Sequence, residues 1–201
     1  TGAKSMTDLE TISVYDSKSH EYATMTNSSK PSKHLETFMR EVMNGGTVLD
    51  LGCGPGNAAA FMSSNGFKVI ATDASAEMVK VAKIENNIDV LHQSFEDIKW
   101  VNNFDGVWAH FSLLHATKRR FSNHLTALHR SLKPKGIFTI GMKLGEGEKR
   151  DNIGRFYAYY SEPQLIELLE ENGFKTQEIS HGEDIGLDGK LSAWVIIRAN
   201  A

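Results

Sequence analysis

The sequence predicts an α/β fold, a mostly parallel sheet with helices on both faces. Three observations predict it. From residue 47 onward, short apolar runs alternate with amphipathic stretches of helical length. A glycine-rich turn, Gly52-Cys-Gly-Pro-Gly56, follows the first run. The last two runs succeed each other without a helix, so they are expected to pair antiparallel at one edge.

Two helical stretches come before the sheet. From about residue 8 to residue 26, Leu9, Ile12, Tyr15 and Tyr22 form a loose helical stripe. After Pro31, Leu35, Phe38, Met39 and Val42 share a face, and Asn44-Gly-Gly46 ends the stretch. Thr47–Leu51 is the first buried strand. Asn57 is expected to cap a helix that Gly66 stops after Asn65. Phe67–Thr72 is the second strand, and Ser75 caps a helix reaching about Asn86. Ile88–Leu91 and Phe104–Ala109 are strands three and four. Phe121–Leu132 is a helix with Leu125, Leu128 and Leu132 as its seam. Lys133-Pro-Lys-Gly136 turns into strand five, Ile137–Met142. Ser161 and Pro163 open a helix ending at Asn172-Gly173. Strands six and seven are expected near Phe174–Ser180 and Leu191–Arg198. No repeat or low-complexity linker divides the chain.

Composition narrows the classes. At 201 residues the chain suits one domain with a full core. No apolar stretch approaches the roughly 20 residues a bilayer requires, and the first 25 residues lack the apolar centre of a signal peptide. The lone cysteine, Cys53, has no intramolecular partner, so a reducing cytoplasm is expected. Residues 1–5 read as an expression remnant, with Met6 as the expected native start. A net charge of −3 lacks the basic excess typical of nucleic-acid binders. The eight histidines have no acidic or cysteine partners at metal-ligand spacing.

The first strand–helix turn carries the chemistry. In an open α/β sheet, ligands sit beyond the carboxyl ends of the strands, near the switch in strand order. Glycines at 52, 54 and 56 let the backbone curl and approach a ligand closely. Their spacing is G-x-G-x-G. The dinucleotide fingerprint G-x-G-x-x-G would need glycine where Asn57 stands. Asp50, just before the turn, suits a cationic ligand group and would repel a pyrophosphate. Asp73, ending the second strand, suits both hydroxyls of a ribose. Alone it reads as a cap or a solvated turn; behind this glycine turn, the ribose reading leads. Cys53 reads as a small buried residue rather than a nucleophile.

These residues resemble a known family. Val48–Gly56 and Val69-Ile-Ala-Thr-Asp-Ala-Ser75 look like motifs I and II of class I S-adenosylmethionine-dependent methyltransferases. The likeness continues through Ser94-Phe-Glu-Asp97, Phe104-Asp-Gly-Val-Trp-Ala109, Leu113-Leu-His115 and Leu132-Lys-Pro-Lys-Gly136, and is most similar to the small bacterial type 11/type 25 group. It implies a Rossmann-like seven-stranded sheet in the order 3-2-1-4-5-7-6, with strand 7 antiparallel. It implies S-adenosyl-L-methionine as cofactor, a methyltransferase domain over 46–201, and residues 1–45 as a helical extension covering the cofactor. By position, Asp50, Gly52, Cys53 and Gly54 would line the methionine part. Asp73 would hold the ribose, and Ala74 and Met78 would flank the adenine. Ser94, Phe95 and Glu96 would form the adenine-edge turn, where many relatives have Asp at the position of Ser94. Ala109 and His110 would pass beneath the methionine end. Tyr15 and Tyr22 are cofactor candidates from the N-terminal helix, with core packing as the equal alternative.

The acceptor is less legible. Methyl transfer from a sulfonium is an in-line displacement with a good leaving group, so positioning and desolvation dominate. The stretch Ala109-His-Phe-Ser112 lacks the Asn/Asp-Pro-Pro-Tyr/Phe and Pro-Cys patterns of base methylation. No nucleic acid and no membrane are expected, and a small-molecule acceptor is favoured, with the protein a monomer or homodimer. His110, His115, Arg155 and Tyr157 are the candidate catalytic residues. His115 reads equally as packing at a helix start, and Lys118-Arg-Arg120 as a solvated face. The long segment 141–154 reads as a lid or binding loop. If residues 155–160 are extended, Arg155, Tyr157 and Tyr159 share a face, and arginine beside aromatics suits a carboxylate or phosphate. A non-catalytic S-adenosylmethionine-binding protein and a nicotinamide-dependent oxidoreductase are the competing readings. Asp50, Asn57 and the lack of a Tyr-x-x-x-Lys pair count against the second.

Overall fold

A computed structural model describes residues 8–201. The expected remnant at 1–5 and start at Met6 lie outside the described residues. The chain opens with α1 (Leu9–Ser17), α2 (Ser19–Thr26) and α3 (Lys33–Glu41). The first expected stretch is thus two helices. Lys18, at φ −114° and ψ 18°, leaves the helical conformation between them. Leu9 drops out of the expected stripe and is exposed, whereas Tyr15 and Tyr22 meet edge to face at 5.4 Å. Asp8 and Ser32 cap α1 and α3 by accepting from Thr11 N and Leu35 N.

The alternation then follows: β1 (Thr47–Leu51), α4 (Asn57–Ser64), β2 (Lys68–Asp73), α5 (Ala76–Asn86), β3 (Val90–His92), β4 (Phe104–His110), α6 (Lys118–Ser131) and β5 (Leu132–Lys143). Short β6 (Glu148–Arg150) and β7 (Phe156–Ala158) come next, then α7 (Glu162–Glu171), β8 (Lys175–Ile185) and β9 (Leu191–Asn200). The main sheet has the order β3-β2-β1-β4-β5-β9-β8. β1 to β5 pair parallel, and β9 runs antiparallel between β5 and β8. The expected seven-stranded order is therefore borne out, because β6 and β7 form a separate two-stranded sheet.

Alternation along β1 and β4 divides the core. Leu49, Leu51 and Val107 pack with Leu125 and Leu128 of α6 and Leu165 and Leu169 of α7. Val48 and Trp108 point the other way, against Leu35 and Phe38 of α3 and Met62 of α4. Gly106 makes room for α3, since a Cβ there would meet Phe38 Cζ at 2.7 Å. Phe38 is fully buried, and its truncation to Ala would cost about 3–5 kcal/mol.

Four local expectations are corrected. Gly56, left-handed at φ 84°, takes the N-cap of α4, and Asn57 becomes its first residue. The Asn57 amide donates instead to the Thr26 carbonyl at 3.0 Å, tying α4 to the end of α2. β3 begins at Val90 rather than Ile88, because Asn87 ends α5 in the left-handed conformation and Ile88 N still bonds the Ala82 carbonyl. β5 starts at Leu132, with the expected turn absorbed as a bulge in which Lys135 has φ 65°. The long segment after β5 is an ordered hairpin, β6–β7, joined to the sheet end by a bridge between Leu144 and Tyr160. Among the described residues, no helix is long and apolar enough to cross a membrane.

Candidate functional site

The glycine turn is pinned to the end of β2. Gly52 N and Cys53 N both donate to the Thr72 carbonyl at 2.9 Å. Gly52 has φ 69°, and a Cβ there would meet Ser112 Cβ at 2.4 Å, so two requirements select glycine. Gly54 N donates to Asp73 Oδ2 at 2.8 Å and Ser75 N to Asp73 Oδ1 at 2.9 Å. Asp73 is thus oriented by the turn with lone pairs left over for a ligand's hydroxyls. Burial raises its pKa against these two backbone donors. Asp50 is 2% exposed, and its Oδ2 has no hydrogen-bond partner. Burial, then the charge of Asp73, push Asp50 up to about 7. Burial and the same two carboxylates raise the Cys53 thiol well above its ordinary value, which opposes a thiolate.

Two cavities meet over this turn. The larger, about 680 Å³, is walled by Asp50, Cys53, Trp108, Lys143, Arg155 and Tyr157 among others. The smaller, about 110 Å³, is walled by Asp73, Ala74, Met78, Gln93, Phe95 and Glu96 among others. Tyr15, Tyr22, Gly52, Gly54, His110 and Phe111 line both and form the neck between them. Most of the residues expected at a cofactor site are therefore brought together. Ser94 and Ala109 line neither cavity. The Ser94 hydroxyl donates to Asp97 Oδ2 within a capping box, and Ala109 is fully buried in the core. Gln93, overlooked in the sequence, stands in the place expected of Ser94. Its Oε1 is buried without a partner in the wall of the smaller cavity. The available signal was an amide directly after the third strand.

A second network closes the other side. His115 Nδ1 lies 2.6 Å from the Phe156 carbonyl, and its Nε2 lies 2.8 Å from the Tyr15 hydroxyl. A carbonyl only accepts, so Nδ1 carries the proton and Nε2 accepts from Tyr15. The Tyr15 oxygen accepts in turn from Arg155 Nη1 at 3.1 Å. Arg155 Nε pairs with Asp151 Oδ2 at 2.8 Å, and Nη2 has no partner. Arg155, 2% exposed, is a cavity wall on a folded hairpin rather than part of an open loop. Its guanidinium lies 5.2 Å from the Tyr157 ring centroid. Tyr157 and Tyr159 are neighbours at 5.8 Å, but only Tyr157 lines the cavity, while Lys149 covers the Tyr159 ring. His110 stacks on Trp108 at 4.9 Å, and burial lowers it to about 4. Burial also lowers His115 to about 4, so both rings are neutral at pH 7. Lys118 lies over the Tyr160 ring. Among the described residues, no cluster of His, Cys, Asp or Glu could hold a metal.

Comparison with known proteins agrees with this arrangement. Residues 48–136, which hold the glycine turn, Asp73 and Gln93, match the family model described as a methyltransferase domain. This stretch is therefore similar to a methyltransferase domain. An uncharacterized methyltransferase of Staphylococcus carnosus is 30% identical over 128 residues, covering 63% of this chain and 60% of that protein. The chain thus spans about three fifths of that relative's length. Among solved structures, the 1,6-didemethyltoxoflavin-N1-methyltransferase of Burkholderia thailandensis, with bound 1,6-didemethyltoxoflavin and S-adenosylhomocysteine, superposes with a TM-score of 0.72 at 20% identity. That match covers 100% of this chain and 92% of the other. The [4+2]-cyclase SpnF superposes with a TM-score of 0.71 at 16% identity, covering 100% of this chain and 97% of SpnF. Proteins named for different reactions share this fold, so activity has to be argued from the site.

Proposed function

We propose that this protein binds S-adenosylmethionine and transfers its methyl group to a small-molecule acceptor. The observation that carries this reading is the pair of buried carboxylates at the glycine turn. Asp73 is aligned by Gly54 N, and Asp50 keeps an unpartnered oxygen in the wall of the adjoining cavity. A buried carboxylate oxygen without a donor is costly, and an ammonium satisfies it. A nucleoside that ends in an amino acid suits both carboxylates. S-adenosylmethionine supplies a methyl group on a sulfonium that leaves readily.

In this reading Asp73 takes the ribose hydroxyls, and Ala74, Met78 and Phe95 enclose the adenine. Gln93 Oε1 accepts from the exocyclic amine, the contact that the Ser94 hydroxyl, spent on Asp97, leaves open. Asp50 holds the ammonium, with Gly52, Cys53 and Gly54 beside it. Tyr15 and Tyr22 close the neck from α1 and α2, which act as the cover over the site. His110, lining both cavities, faces the transferred methyl. A base lowered to about 4 holds a proton at pH 7 in roughly one part in a thousand. The site therefore suits an acceptor that already has a free lone pair or loses its proton easily. His115 acts through Tyr15 rather than on the acceptor, since both of its nitrogens are engaged.

The test is S-adenosylhomocysteine release from the full chain incubated with S-adenosylmethionine and fractionated metabolite extract. Release that needs a particular fraction, and that Asp73→Ala abolishes, is expected. Tight binding of S-adenosylmethionine with no release from any fraction would favour the binding-only reading.

A further inference from the structure

The larger cavity continues beyond the neck into a chamber built by β5, the β6–β7 hairpin and the β8–β9 hairpin. Its apolar walls include the rings of Trp108, Phe111, Tyr157 and Trp194 beside the aliphatic Ile185 and Leu187. Phe111 and Trp194 meet edge to face at 6.3 Å. Two cations face one of these rings. Arg155 Cζ lies 5.2 Å and Lys143 Nζ 4.5 Å from the Tyr157 centroid. Both side chains line the chamber.

The carboxylates nearby leave donor atoms of this pair without a partner. Asp151 is engaged with Arg155 Nε and with the Ile153 and Arg155 amides. Asp184 accepts from Trp194 Nε1 at 2.8 Å. Lys143 makes no ion pair among the described residues, and Arg155 keeps Nη2 buried and unpartnered. A half-buried ammonium without an ion pair and a buried guanidinium nitrogen without an acceptor, both over one aromatic ring, leave donors that an entering anion would satisfy. Burial, then the charge of Arg155, lower the Lys143 ammonium, and Asp188 and Asp151 act on it in the opposite sense.

We infer that the methyl acceptor is an aromatic or conjugated carboxylate, its body against the chamber rings and its carboxylate held by Lys143 Nζ and Arg155 Nη2 over Tyr157. This rests on the methyl-transfer reading and names its substrate class. The cofactor's own carboxylate is the competing occupant, because Asp50, its ammonium partner in the proposed reading, lines the same cavity as both cations; the S-adenosylhomocysteine affinity of Lys143→Gln separates the two.

The test is calorimetry on the full chain loaded with S-adenosylhomocysteine, titrated with benzoate, cinnamate and indole-3-acetate and with the primary amide of each. At least one acid is expected to bind about tenfold or more tightly than its amide. Lys143→Gln removes that preference, while S-adenosylhomocysteine affinity stays within about twofold. The inference is overturned if every amide matches its acid. It is also overturned if Lys143→Gln costs S-adenosylhomocysteine as much affinity as it costs the acid, because the cations then serve the cofactor. Failure of the wild-type chain to bind S-adenosylhomocysteine would strike the methyl-transfer reading instead, and the acid–amide comparison on the unloaded chain would still read the chamber.

Discussion

Tyr15 of α1 donates its hydroxyl proton to Nε2 of His115 across 2.8 Å, one hundred residues along the chain. The direction is set by the opposite nitrogen, whose proton is committed to the Phe156 carbonyl. Through the Tyr15 oxygen the same bond reaches Arg155. One phenol thus fastens α1, the turn after β4 and the β6–β7 hairpin together above the neck of the two cavities.

Replacing Tyr15 by Phe removes one hydroxyl and leaves two groups without their partner, His115 Nε2 and Arg155 Nη1. The expected loss is on the order of 2–4 kcal/mol, read as a lower urea midpoint at unchanged m-value. Nitrogen NMR of the wild-type ring checks the direction of the bond. It should find His115 neutral, protonated at Nδ1, and titrating at about 4. A ring protonated at Nε2 would contradict the network. The sign of the linkage follows. A histidine whose folded pKa lies below its unfolded value stabilises fully above about 6.5, and this contribution is lost as pH falls towards 4.

Asp50 gives cofactor binding its own pH dependence. In the free protein it titrates at about 7. An ammonium beside it holds it ionised, so a proton competes with the ligand. S-adenosylhomocysteine affinity is expected to fall as pH drops below 7, by up to about tenfold per pH unit. Asp50→Asn should bind weakly at every pH and flatten this slope in calorimetric titrations. A slope that survives in Asp50→Asn would assign the proton elsewhere.

Gly52 is selected twice, by its backbone angle and by Ser112. Gly52→Ala is expected to destabilise by several kcal/mol. Of this, roughly 1–2 kcal/mol is the left-handed backbone and the rest is the clash with Ser112 Cβ at 2.4 Å. Adding Ser112→Gly should return the steric part and leave the backbone part. Thermal or denaturant unfolding of the four-member cycle measures the coupling.

Gln93 is expected to contribute to adenine selection. Gln93→Ala should weaken S-adenosylhomocysteine by roughly tenfold, the worth of one buried hydrogen bond of about 1.4 kcal/mol. Competition with the inosine analogue gives the specific readout. The wild-type chain should prefer the amine, and Gln93→Ala should lose that preference.

The parts of this molecule legible in the sequence are those set by local chemistry. The Gly52–Gly56 turn, the Ser75 and Ser161 caps, and Leu125 and Leu128 on the core face of α6 depend on residue type and spacing over a few positions, and the structure has them where expected, whereas Leu132, expected on the same helix, opens β5. The illegible parts depend on tertiary contact. Asn57 looks like a cap in isolation, but its amide is drawn to Thr26 and Asn86 from other helices. Residues 144–160, rich in glycine and charge, fold as a hairpin because Thr11, Tyr15 and His115 supply partners for Phe156 and Arg155. Lys143 carried no signal in one dimension. Its meaning comes from sharing the Tyr157 ring with Arg155, which only the folded hairpin brings about.

The central claim is that the glycine turn, Asp50 and Asp73 form a site for S-adenosylmethionine. Isothermal titration of the full chain with S-adenosylmethionine, S-adenosylhomocysteine and NAD tests it most directly. The account predicts saturable one-to-one binding of both adenosyl ligands, no heat with NAD, and a loss of about tenfold or more in Asp73→Ala. Binding of NAD in preference to S-adenosylhomocysteine, or adenosyl binding untouched by Asp73→Ala, would contradict it.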